Sequence, residues 1–156
     1  MYRLNYLTLA ISFFLLSSCR QHMLSSQHLG LWKSQQPVAV KSRMKENGAF
    51  QFSQGLIDIE LQLNADQTAS GKLGPVVFKN VPVHYNHGLP PSVTGIEYTL
   101  QISAFEKLFA GDLISSRTIE IWMKPLNAEQ SLIIELRDGS TQDAFPMGEA
   151  TLHKNE

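Results

Sequence analysis

The stretch LIDIELQL, Leu56 to Leu63, puts Ile57, Ile59, Leu61 and Leu63 on one side of an extended chain. Asp58, Glu60 and Gln62 fall on the other. Side chains alternate across a strand with a period of two, so this pattern specifies a strand with one face in a core and one in water. TIEIWM repeats it, with Ile119, Ile121 and Met123 against Thr118, Glu120 and Trp122. SLIIELRDG does so again through Leu132, Ile134 and Leu136.

Turn residues separate these runs. Asn47-Gly48 divides VAVKSRMKE from AFQF, and Asn-Gly suits a two-residue hairpin turn in which both central residues need positive φ. NADQ, Gly74-Pro75 and NAEQ divide further candidates, among them TASGKL, VVFKNVPVHY, GIEYTLQIS and EATLHK. Many short strands at this spacing predict an all-β domain, an antiparallel barrel or sandwich of about eight to ten strands. The segment SAFEKLFAG predicts one short helix. Glu106 follows Ser103 by three, as in a capping box, and Gly111 offers a stop, so Phe105, Leu108 and Phe109 would share a face. Phe50, Phe52, Phe78 and Ile121 are expected to point inward and fill the core.

The first residues read differently. An apolar run from Leu7 to Leu16 follows Arg3 and ends in Ser-Ser-Cys, the three-part pattern of a secretory signal. The run is shorter than the roughly 20 apolar residues that span a bilayer. Cys19 is the only cysteine, so no disulfide can form within the chain. LSSC, Leu16 to Cys19, resembles the lipobox of bacterial lipoproteins. That resemblance implies cleavage before Cys19 and acylation of its sulfur and amine. Arg20 in the following position implies the outer membrane, on its periplasmic face. The expected organisation is a signal peptide over 1–18, an acylated cysteine and polar tether over 19–27, and a β domain over 28–156. Loss of the leader takes Arg3 with it, so the 13 basic side chains fall to 12 against 14 acidic ones, a charge of −2. That balance argues against nucleic acid as a partner.

Within LGLWKS, Gly30-Leu31-Trp32 is a G-x-W triplet that resembles the first-strand mark of lipocalins and other calycins. The likeness implies a calycin-like barrel with Trp32 closing one end under a basic residue from a late strand, with Arg137 or Lys154 as candidates. It also implies a carrier of small apolar ligands as one function.

Few residues suggest chemistry. His84 and His87 flank a loop and lack the helical spacing of a zinc pair, so no metal or other cofactor is expected. Asp58 and Glu60 share a strand face, where solvated carboxylates are ordinary. No serine sits in a nucleophile elbow, and no enzyme is expected. Alternation turns Trp122 and Ile133 outward on neighbouring strands, a candidate partner surface. The sequence therefore points to a non-enzymatic protein-binding module, an inhibitor or assembly factor on a membrane anchor. A lipocalin-like ligand carrier is the alternative.

Overall fold

The computed structural model describes residues 23–86, 95–126 and 130–155. The expected leader, Cys19, His87 and most of the NAEQ connection lie outside the described residues. Among those described, no helix is long and apolar enough to cross a membrane.

Eleven strands follow one another: β1 (Gly30–Ser34), β2 (Val38–Glu46), β3 (Ala49–Ile57), β4 (Ile59–Leu63), β5 (Thr68–Leu73) and β6 (Val76–Pro82). Then come β7 (His84–Tyr85), β8 (Tyr98–Ala104), β9 (Arg117–Leu126), β10 (Ser131–Asp138) and β11 (Phe145–Asn155). Nine of them form one antiparallel sheet in the order β6-β5-β4-β1-β11-β10-β9-β8-β7. The sheet curls until β6 packs beside β8 without a ladder between them, a nearly closed calycin-like barrel. β2 and β3 stand apart as a two-stranded ribbon.

The alternation read from the sequence is what fills the barrel. Ile59, Leu61 and Leu63 of β4, Ile119, Ile121 and Met123 of β9, and Leu132, Ile134 and Leu136 of β10 are all at most 1% exposed. Leu100 and Ile102 of β8, Leu152 of β11 and Phe78 of β6 join them.

Two long strands break at the same level, which sets the ribbon apart. LIDIELQL is not one strand: it parts at Asp58, whose carbonyl accepts the Gly74 amide at 2.8 Å. The neighbouring chain parts between Ser34 and Val38, and the Ser34 hydroxyl accepts the Ile59 amide at 3.1 Å. Past the breaks, β2 leans on β11 where Gly148 has no side chain. A Cβ there would lie 2.6 Å from the Ala39 carbonyl oxygen, a contact only glycine allows. The ribbon turns at Asn47 and Gly48 with φ of 50° and 83°, the tight hairpin turn expected.

Two more expectations fail here. Phe50 and Phe52 do not fill the core; they are 52% and 63% exposed. Parity explains it: β3 keeps Ile57 inside, so its even-numbered residues face out, and Ser53 and Gly55 take the inner side. The helix over SAFEKLFAG is absent as well. β8 carries Ser103 and Ala104 in register with Thr118 and Arg117, and an irregular loop follows. Leu108 and Phe109 are buried, but Phe105 is 79% exposed. The loop is held from Asp112 rather than by helical hydrogen bonds.

Candidate functional site

At the end of the barrel where β1 begins, Trp32 is buried and donates from Nε1 to the His28 carbonyl at 2.8 Å. Gly30 opens the strand opposite Leu63. Lys154, across the ladder from Trp32, holds its ammonium 5.7 Å from the indole centroid, so of the two candidate covers Lys154 takes that place. A single 3-10 turn, Ser26–His28, packs here, and Leu24 is already buried. The Tyr98 hydroxyl donates to the Met23 carbonyl at 3.3 Å. The expected tether is therefore fixed to the barrel from residue 23 onward. Burial pushes the His28 pKa below its ordinary value, opposed by Glu97 and helped by Lys154. Burial also raises the Tyr98 hydroxyl.

Trp122 is half-buried on the outer wall. Arg137 stacks its guanidinium 4.0 Å over the indole, while Nε1 donates to Glu120 at 3.0 Å. Arg137 is itself held by Glu135 at 2.7 Å. Trp122 stands opposite Glu135, and Ile133 opposite Lys124, so the pair are diagonal neighbours. At the candidate partner surface Trp122 is thus part of a salt-bridged stack beside an open cleft of about 330 Å³, lined by His84, Thr99 and Gln101 as well.

The outer face of the ribbon is different. Lys45 stands opposite Phe50, Arg43 opposite Phe52 and Lys41 opposite Gln54. Arg43 lies between aromatic rings, 4.7 Å from Phe50 and 4.5 Å from Phe145, and ion-pairs with Asp143 at 2.6 Å. That pairing lowers the Asp143 pKa. Lys41 and Lys45 have no ion-pair partner among the described residues. A groove of about 500 Å³ runs between Lys41, Phe52, Gln54, Phe145 and Pro146.

Beneath the ribbon lies a buried ionic clasp that sequence reasoning missed. The side chains of Arg117 and Asp112 are 0% exposed and form an ion pair. Arg117 also donates to the Ser42 hydroxyl at 2.7 Å and to the Ile114 carbonyl at 2.8 Å. Asp112 accepts from Ser42 at 2.7 Å and from the amides of Leu108 at 3.0 Å and Ile114 at 3.1 Å. Burial alone would raise the Asp112 pKa, yet the hydrogen bonds from Arg117, Ser42 and the two amides outweigh it and hold it low. One ion pair thereby joins β2, the loop after β8 and the start of β9. The sign of it was in the alternation: Arg117 shares parity with Ile119, Ile121 and Met123, which puts a charge on the inner face.

The remaining candidates stay apart. His84 is exposed on β7, and no group of side chains able to hold a metal ion occurs among the described residues. Asp58 is exposed at the strand break, whereas Glu60 pairs with Lys72 at 3.1 Å and Lys33 at 3.4 Å, which lowers its pKa. The Ser42 hydroxyl is locked between Asp112 and Arg117, not poised for attack.

The architecture is that of a filled, calycin-like antiparallel barrel. Compared with known proteins, the chain matches no family model, no curated protein and no solved structure.

Proposed function

We propose that the chain is an outer-membrane lipoprotein, anchored through acylated Cys19 on the periplasmic face, whose barrel is a non-enzymatic protein-binding module. One observation carries the binding reading: the large inward side chains pack against one another, while Phe50, Phe52 and Leu56 stand exposed together on the ribbon. A carrier needs a cavity of about 300 Å³ or more among its inward residues. Among the described residues the inward apolar side chains are at most 9% exposed, and the two clefts described above lie outside the barrel. An exposed aromatic cluster with charged residues at its margin is how interface anchors are built. The surface favoured is therefore the ribbon, because Arg137 covers Trp122.

The ribbon also lies toward the other end of β9 from Met23, where the described chain begins. Ser42 contacts Arg117 at one end of β9, while Tyr98, which holds Met23, pairs with Met123 six residues along. At 3.3 Å per residue that is about 20 Å along the strand. Such a separation leaves the ribbon clear of the tether and open to a partner.

Two measurements test this. Cys19→Ala should move the protein out of the membrane fraction and remove lipid from its intact mass; a variant still membrane-bound, beside a wild type without lipid, refutes the anchor. A photo-crosslinking amino acid at Lys41, beside the groove, should give a discrete protein adduct in native envelopes. The same group at Val77, exposed on β6, should give none. Equal labelling at both positions, or none at Lys41, refutes the binding surface.

A further inference from the structure

The ribbon ends in an open edge. β3 pairs only with β2, and its other side meets no strand. The two-residue turn sets which backbone groups face that side. Glu46 and Ala49 flank the turn as a hydrogen-bonded pair, so Met44 with Gln51, Ser42 with Ser53 and Val40 with Gly55 are bonded pairs too. The residues between them, Phe50, Phe52, Gln54 and Leu56, direct N–H and C=O to the free edge. None of those groups has a partner among the described residues.

Exposed edges are commonly blunted by charge, proline or shortness. The barrel's own edges follow that rule: β7 has two residues, and β6 carries Lys79, ends in Pro82 and lies against β8. β3 does not. Its nine residues, AFQFSQGLI, contain no charge and no proline, and three large apolar side chains stand exposed beside the edge.

We propose that β3 pairs antiparallel with β3 of a second copy of this chain, about a two-fold axis through Ser53. Ser53 is the middle residue of the strand, so this register uses its whole length. Phe52 then bonds opposite Gln54 of the other copy, and Phe50 opposite Leu56, an aromatic–aliphatic pair of the kind that stabilises sheets. No like charges meet along the seam, since the lysines lie on β2. The two β2 strands of the four-stranded ribbon stand three strand spacings apart, about 14 Å, beyond the roughly 8 Å screening length of physiological salt. Ser53 supplies an independent sign. Its hydroxyl is buried without a hydrogen-bond partner, and the axis brings a second Ser53 hydroxyl beside it. The six apolar side chains of two copies would also form one continuous outer face.

The register makes the test specific. Ser53 faces itself as a non-bonded pair, with Cα atoms about 4.5 Å apart, within the range a disulfide spans. Ser53→Cys in the full chain, oxidised in native envelopes, should run as a disulfide-linked dimer on a non-reducing gel. Lys45→Cys, on β2, should stay monomeric, and the wild type controls for any free thiol at Cys19. Phe52→Lys places a charge at the edge twice per dimer at an exposed position. It should weaken chemically cross-linked dimer about tenfold while leaving the melting temperature nearly unchanged. A folded Ser53→Cys protein that remains monomeric, equal linking at Lys45→Cys, a disulfide to a different protein, or an undiminished dimer in Phe52→Lys would each overturn the pairing.

Discussion

Replacing Asp112 with Asn tests the clasp that holds ribbon to barrel. Asn is nearly the size of Asp, so packing is kept while the charge is removed. Arg117, 0% exposed, would then be a buried cation without a counter-ion. Breaking one side of a buried pair costs about 3–5 kcal/mol. The amide adds a second conflict: one of its two polar ends is a donor, and Asp112 is surrounded by donors from Arg117, Ser42, Leu108 and Ile114. At about 3 °C per kcal/mol for a chain of this size, melting should fall by about 10–15 °C. Arg117→Met should cost a similar amount, but the double variant should cost much less than the two together, because it leaves no lone charge. Urea unfolding followed by circular dichroism and tryptophan fluorescence would measure all four proteins. The pH profile adds a check. The native pKa of Asp112 is held below its unfolded value of about 3.9, so its contribution is present above that value and lost as pH falls through the native one. The Asn variant should lack that part of the acid limb. A cost below about 1 kcal/mol, or two single costs that simply add, would mean that the clasp does not act as a unit.

Trp32→Ala should destabilise by about 3–5 kcal/mol, as large truncations in cores do; Trp32→Phe should lose less, mainly the bond to the His28 carbonyl, and thermal melting ranks the two. Trp122→Ala should cost only about 1–2 kcal/mol, for the Arg137 stack and the Glu120 bond, and should leave the Lys41 cross-link intact. For His28, the lowered native pKa means that the unfolded chain takes up the proton first. Stability should therefore decline as pH falls from the unfolded value of about 6.5 through the native one, and His28→Asn should flatten that decline in melts between pH 7.5 and 5.

The strands were legible because their inner faces are local facts. β4, β9 and β10 each show in a few residues which side is buried, and Asn47-Gly48 carries its own turn geometry. The same parity, carried from Ile57 back through β3, would have turned Phe50 and Phe52 outward; size suggested the opposite and misled. The strand breaks were not legible, since the bond from Ile59 to Ser34 and the approach of Ala39 to Gly148 join residues far apart in the chain. The loop after β8 hid for the same reason. Ser103 and Glu106 look like a helix start, but the organiser of that loop is Asp112, whose partners come from β2 and β9. Alternation turns Trp122 outward, yet nothing near it in sequence announces that Arg137 lies across it.

The bond from Tyr98 to the Met23 carbonyl has a consequence for how the protein explores its surroundings. Three residues lie between Cys19 and Met23, so the span of four Cα–Cα steps is at most about 14 Å of chain. With Cys19 acylated as proposed, the domain does not swim on a long line; it is confined to a thin layer above the lipid. Copies then meet in two dimensions rather than three, at local concentrations far above those of the same molecules free in a volume. A seam of one strand against one strand, too weak to populate in a dilute solution of released domain, can be the ordinary state on the membrane.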